Sequence, residues 1–346
     1  MKQKINFVDL FSGAGGLLRG FMDAGYTPLL SIENWKPSIE THKKNYPDVP
    51  IIDKDIREVS KKDVLEVISE NRCDVVVGGP PCQGFSTIGK RMRDDPRNSL
   101  ILEFVRIVDI LKPKFFLMEN VRGMLSPRNK SLVEEVLESF KKIGYSRVVK
   151  KVLCAADFGV PQMRYRVFFL GVKDGVKVGD LYLPEPLLLK EDYKTVGDAI
   201  NDIADLINVL DNHIPMNHNE TVVKRIMATP EGEGLPNSLN GELAYGSRSD
   251  YKKNKLKNFS HVYKRLHRNK PSTTIVPGHN AFPLHPIAHR ALTVREAARI
   301  QTFSDDIVFC GTRQEQCIQV GNAVPVKLAE ELAKHIKRYF NKSEVN

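Results

Sequence analysis

The sequence predicts an α/β fold, a doubly wound and mostly parallel sheet accompanied by a second, smaller domain. Three observations predict it. Short apolar runs alternate with segments of helical period through the first half of the chain. The residues that follow those runs are polar, glycine or cysteine rather than ordinary turn filler, apart from Phe11 and the pair Pro80–Pro81. Beyond about residue 175 the periodicity gives way to a stretch rich in Asn, His, Pro and Gly. Alternating strands and helices cover both faces of a parallel sheet, which is why the pattern reads as α/β.

Taken in order, "INFVDLF" (5–11) reads as a buried strand, followed by a glycine-rich turn and the helical "LLRGFMDAG". "PLLSIEN" (28–34) and "IIDKDI" (51–56) read as the next strands, and "DVLEVISEN" as an amphipathic helix. "CDVVVGG" (73–79) is a fourth strand, and "SLILEFVRIVDILKP" (99–113) a helix stopped by Pro113. "KFFLMENV" (114–121) is a fifth strand, followed by a helix over 131–145 and strands in "VVKKVLCAADFG" and "RYRVFFLGV". Helices return at 293–303 and 324–340, the latter with an apolar stripe of Leu328, Leu332 and Ile336. One discontinuous domain is expected over 1–180 plus 304–346, and a second over 181–303.

The chain has 346 residues, 41% of them hydrophobic, enough for a sizeable core. Its formal charge is +10, a basic excess that suits a polyanionic partner such as nucleic acid. The five cysteines are irregularly spaced with no C-x-x-C, against a disulfide framework or structural zinc site. No metal is expected. No signal peptide and no apolar run of membrane-spanning length is visible, so a protein of a reducing, cytoplasmic compartment is expected.

In doubly wound sheets ligands bind beyond the carboxyl ends of the strands. "DLFSGAGG" (9–16) stands at one such end, with Glu33 about 20 residues on, where ribose hydroxyls are gripped. That spacing allows an adenosine-type cofactor, though a glycine-rich turn alone reads equally as a turn. "GGPPCQGFS" (78–86) mounts Cys82 behind two prolines. Prolines stiffen the backbone and glycine admits close approach, so the sulfur is a candidate nucleophile rather than packing. Glu119 and Asn120 end the neighbouring strand, as a loop cap or as ring-binding groups. Arg164 and Arg166 share one face of a strand, because strand side chains alternate. "YKKNKLKNFSHVYKRLHRNK" (251–270) carries eight Lys or Arg and no acid, which reads as phosphate contacts or as a solvated basic face.

Six segments in order resemble the motifs of the C5-cytosine DNA methyltransferases: "DLFSGAGG", "GGPPCQGFS", "MENVRGM", "QMRYR", "RALTVREAARIQTF" and "QVGNAVP". The resemblance spans the chain except for about 180–270, where the family itself varies. It implies a Rossmann-like fold dependent on S-adenosylmethionine, with a target-recognition domain in the variable stretch. It implies methyl transfer to carbon 5 of a cytosine flipped out of double-stranded DNA, by thiolate addition to carbon 6. Cys82 becomes the nucleophile, Glu119 the ligand of the ring N3 and exocyclic amine, and Arg166, more loosely Arg164, the holder of O2. For the cofactor, Phe11 stacks on adenine, Gly13, Gly15 and Leu17 line the methionine part, and Glu33 takes the ribose beside Trp35. Asp55 and Ile56 meet the adenine edge, and Pro80, Leu100 and Asn322 complete the pocket. Gln83 and Ser86 open a loop to about residue 98 whose Lys90, Arg91 and Arg93 meet phosphates, as do Lys252, Lys253, Lys255 and Lys257. Ser304 and Val326 depart from the family's usual prolines, away from the chemistry.

The resemblance further implies a monomeric, nucleoid-associated prokaryotic enzyme, with a cognate restriction endonuclease acting separately. Two alternatives keep part of this pattern: a tRNA cytosine methyltransferase of the same fold, and a catalytically silent DNA-binding regulator. A nicotinamide-type dehydrogenase fits the glycine loop but leaves Pro-Pro-Cys unexplained.

Overall fold

The computed structural model describes residues 4–81, 99–236, 239, 243, 263–276 and 282–342. Strands β1 (Asn6–Leu10), β2 (Thr27–Ile32), β3 (Ile51–Ile52), β4 (Val75–Gly78) and β5 (Phe115–Val121) are joined by helices. These are α1 (Gly16–Asp23), α2 (Lys36–Asn45), α3 (Lys61–Ile68) and α4 (Ser99–Leu111). Helix α5 (Lys130–Lys142), β6 (Arg147–Cys154), the short β7 (Gln162–Met163) and β8 (Tyr165–Val172) follow. The main sheet has seven strands in the order β3-β2-β1-β4-β5-β8-β6. The pairs from β3 to β5 are parallel, whereas β8 runs antiparallel to both β5 and β6.

This order reverses direction between β1 and β4, the switch point at which doubly wound sheets open a crevice. The loops leaving β1 and β4, which carry Phe11–Gly16 and Pro80–Pro81, therefore flank one cleft.

Side-chain alternation assigns the strands to two apolar layers. Phe115, Leu117, Phe168 and Leu170 face a cluster that includes α1 and the last helix, Val326–Lys342. Phe116, Met118, Val167 and Phe169 face α4 and α5. There Phe116 stacks on Phe140 with ring centroids 4.0 Å apart. Full burial of each such ring stabilises the fold by about 2–3 kcal/mol.

The helix Val294–Ile300 starts at a reciprocal cap, Thr293 with Glu296. It packs into the first layer, as do Val196 and Ile200. A separate small cluster of Ile226, Tyr263, Leu284 and Ala291 lies outside the two main layers. Around it the guanidinium of Arg265, from the end of the basic run, donates to the carbonyls of Ile226, Thr229 and His285. Arg268 pairs with Glu231 at 3.0 Å. At the end of the basic run, these two charges serve the protein's own backbone and carboxylates.

Helix α2 was not legible in the sequence. Its buried residues include Ser38, Thr41 and His42, polar groups that present no apolar stripe. Thr41 donates to Gln319 at 2.7 Å, so tertiary partners supply what the local pattern lacks.

Candidate active site

The loop after β1 turns sharply: Phe11, Gly13 and Gly15 all have positive φ, of 57°, 53° and 82°. Such a path favours glycine, and the loop's amides are partly tied inward, Gly15 N donating to Ser12 O at 2.8 Å. The Glu33 carboxylate crosses from the end of β2 to this loop, accepting from Gly13 N at 2.8 Å, while its other oxygen accepts from Asn34 N and Trp35 N, each at 2.8 Å. Loop and acid, about twenty residues apart in sequence, thus form one structure. Beneath them Asp9 is fully buried, and neither of its carboxylate oxygens has a hydrogen-bond partner among the described residues. Burial, then the charge of Glu33, pushes its carboxyl well above the ordinary range.

On the far side of β2, Asp55 caps a short turn and accepts from Arg57 N at 3.0 Å and Nη2 at 2.6 Å. The guanidinium holds its carboxyl down to about 2. Ile56 is buried and its carbonyl accepts from Arg106. Leu17 is buried in the first layer, and Leu100 packs half-buried against the second. Asn322 is exposed, and its carbonyl accepts from Arg164 at 3.2 Å.

The second half of the site is built at the ends of β4, β5 and β8. Glu119 stands opposite Phe168 in the ladder, and Val121 opposite Arg166. The Nε of Arg166 donates to Glu119 Oε1 at 2.9 Å, with side chains only 16% and 12% exposed. Burial pushes the Glu119 carboxyl up, against the lowering effects of Arg166 and Arg164. Gly79 lies against this carboxylate: a Cβ there would stand 3.0 Å from Glu119 Oε2. Asn120, buried, donates through Nδ2 to Pro80 O at 3.3 Å and accepts from Val121 N at 2.8 Å. The Gly79–Pro80 turn is therefore held beside Glu119 by a side chain the sequence left with two readings.

Arg164 differs from Arg166. It is 0% exposed and donates to the carbonyls of Ile275 and Asn322 at 3.0 and 3.2 Å. Its two Nη groups join three segments of backbone, its Nε has no hydrogen-bond partner among the described residues, and burial keeps the whole side chain off the cleft surface. Next to it Gln162, also buried, accepts from Ile275 N at 3.0 Å and donates to Gln301 Oε1 at 2.8 Å. Gln301 donates in turn to Val320 O at 2.7 Å. Sequence reasoning missed this joint, although Gln162 shares the strand-face alternation that picked out Arg164 and Arg166.

Cys82, Gln83, Ser86, Lys90, Arg91, Arg93, Lys252, Lys253, Lys255 and Lys257 lie outside the described residues. Among the described residues no group of His, Cys, Asp and Glu is arranged to hold a metal, and no helix is long and apolar enough to cross a membrane.

With this geometry in hand, comparison with known proteins decides the family. The model of the C-5 cytosine-specific DNA methylases matches residues 5–338. The chain belongs to that family. It is 41% identical to the Type II methyltransferase M1.HphI of Haemophilus parahaemolyticus, over 96% of this chain and 86% of that one. It is 36% identical to the Type II methyltransferase M.DdeI of Desulfomicrobium norvegicum, over 97% and 89%. A prophage-encoded E. coli chain of solved structure superposes with a TM-score of 0.78 at 26% identity, covering 98% of this chain and all of that one. As a member of the family this DNA methylase is an enzyme and takes its methyl group from S-adenosylmethionine. The residues fit that cofactor: Glu33, which accepts from Gly13 N at 2.8 Å, ties the end of β2 to the glycine loop that leaves β1 at the switch point.

Proposed function

We propose that this methylase modifies one cytosine within a short double-stranded DNA sequence as the protecting half of a restriction–modification system, and that Cys82, Glu119 and Arg166 carry the chemistry. The single observation behind the assignment of roles is the buried Glu119–Arg166 pair beside the Pro80–Pro81 mount of Cys82. Carbon 5 of cytosine is a weak nucleophile. Addition of the Cys82 thiolate to carbon 6 moves electron density onto carbon 5, splitting one difficult step into easier ones. Glu119, held toward its protonated form by burial, donates to N3 as that nitrogen gains charge, and accepts from the exocyclic amine. Arg166 binds O2 and stays paired to Glu119. S-adenosylmethionine supplies an electrophilic methyl group. Once carbon 5 carries the methyl group, its proton leaves and the sulfur departs from carbon 6, restoring the thiolate.

For the cofactor, Phe11, Gly13, Gly15, Glu33, Trp35, Asp55, Pro80 and Asn322 line the pocket, with Ile56, Leu17 and Leu100 behind them. The small cluster around Ile226 and Tyr263 forms the core of the target-recognition region, and Lys252, Lys253, Lys255 and Lys257 meet phosphates. The enzyme acts as a monomer at the nucleoid, its cognate endonuclease being a separate protein. The tRNA-directed and catalytically silent alternatives are not favoured, because the matching family model is that of DNA methylases.

Bisulfite sequencing of host DNA after expression tests the reading. Conversion-resistant cytosines should cluster in one short motif and vanish with Cys82→Ala. Unmodified DNA with the wild-type protein, or modification that survives Cys82→Ala, overturns it.

A further inference from the structure

One charged group beside the catalytic pair is left unused by the mechanism. The ladder pairs Val121 with Arg166, so the next positions outward are Arg122 and Tyr165. Both are exposed, Tyr165 by 36%. The Arg122 guanidinium lies over the Tyr165 ring, 5.6 Å from its centroid. Most arginines near the site are spent: Arg166 on Glu119, Arg57 on Asp55, Arg106 on Glu103, Arg164 on carbonyls. Among the described residues Arg122 has no carboxylate partner, and its charge faces solvent.

Its mount is rigid. Asn120 ties the preceding residue to the Pro80 turn, and Asn129 Nδ2 donates to Gly123 O at 2.9 Å on the other side. A guanidinium held over an aromatic face by the ring's quadrupole has fewer rotamers to lose when it binds.

Position supplies the ligand. By strand alternation Glu119 and Arg166 point into the layer shared with the last helix, while Tyr165 lies on the opposite face of the same sheet end. A duplex that delivers a base to Glu119 must lie across that end. Leu266, Ile275 and Phe282, which adjoin the region around Tyr263 in the chain, pack in the layer shared with the last helix, so that region stands on the Glu119 side of the sheet. Arg122, over Tyr165, stands on the other side.

We infer that Arg122, lying over the Tyr165 ring, clamps a backbone phosphate of the DNA on the flank away from the target-recognition region. The contact is to the backbone, so it adds affinity without reading sequence. The inference rests on duplex DNA being the substrate, which wild-type binding tests by itself.

Duplex binding to the full-length protein, measured by fluorescence anisotropy across a salt series, tests the clamp with Arg122→Ala, Arg122→Lys, Tyr165→Ala and Tyr165→Phe. Arg122→Ala should weaken cognate and non-cognate duplexes alike, by about three- to tenfold. It should reduce the slope of log K against log salt by about 0.9, the value for one lost phosphate contact. Arg122→Lys should keep the slope, Tyr165→Phe should match wild type, and Tyr165→Ala should weaken binding less than Arg122→Ala. Thermal midpoints and S-adenosylmethionine affinity should not move. An unchanged slope and affinity in Arg122→Ala overturns the inference. So does a loss confined to cognate DNA, or a Tyr165→Ala defect larger than that of Arg122→Ala, which would mark the ring as a base-stacking surface. If wild type binds no duplex, the substrate reading fails first and separately.

Discussion

Burial lifts the Glu119 carboxyl while Arg166 holds it down, and burial is the larger effect. The consequence for stability has a definite sign. Between the ordinary carboxylate value and the raised one, the native state binds more protons than the unfolded state, so stability falls as pH rises through that window. Glu119→Gln removes the titration and keeps an acceptor for Arg166. It should lower turnover by about a hundredfold or more, because the proton donor to N3 is gone. Its thermal midpoint should equal or exceed that of wild type at neutral and higher pH, and the gain should vanish below the ordinary carboxylate range. Melts at three pH values beside a methyl-transfer assay check both halves. That Glu119 could serve the chemistry was legible from its place at a strand end. Its pairing with Arg166 needed the antiparallel register of β5 and β8, which no local pattern encodes.

At the scale of elements, α1 and the last helix cross so closely that side chains are excluded between them. A Cβ on Gly16 would stand 2.1 Å from Val324 O, and one on Gly20 2.5 Å from the Ala329 Cβ. The glycine loop is therefore shaped from two sides: its own positive φ angles, and a helix more than three hundred residues downstream. Gly16→Ala should destabilise the protein by about 1–3 kcal/mol through overpacking. It should also weaken S-adenosylmethionine binding, because the shifted helix carries the loop with it. Denaturant titration and calorimetric binding check the two effects. The glycines were legible as a loop. Their role as a packing surface was not, because the partner, Val324–Pro325, follows from tertiary contact alone. Helix α2 escaped detection for a related reason, its buried face being polar and satisfied by Gln319.

For the whole molecule, the joint at residues 160–164 matters most. Gln162 reaches Ile275 and Gln301, at separations of 113 and 139 residues, and Arg164 reaches Ile275 and Asn322. The return from the variable region and the segment leading to Asn322 are thus fastened at one point below the catalytic pair. Gln162→Ala would leave Ile275 N and Gln301 Oε1 buried without partners, each costing about 1–3 kcal/mol. A loss of about 2–4 kcal/mol is expected in chemical denaturation. A double-mutant cycle with Gln301→Ala should reveal coupling of at least about 0.5 kcal/mol, since the two side chains touch. Additive losses would mean that the joint is two independent contacts.

The sequence by itself determined the strand–helix alternation, the placement of Phe11–Gly16, Glu33, Pro80–Pro81 and Glu119 at strand ends, and the chemistry those residue types permit. These follow from periodicity and from the preferences of glycine, proline and ionisable side chains, which act over a few residues. Tertiary packing alone sets the sheet's reversal between β1 and β4, the meeting of Arg166 with Glu119 while Arg164 is buried on carbonyls, and the approach of Arg122 to the Tyr165 ring. Each of those outcomes depends on which strand lies beside which and in what register. Register is set by packing between segments far apart in the chain, where burial and hydrogen bonding are settled jointly rather than residue by residue.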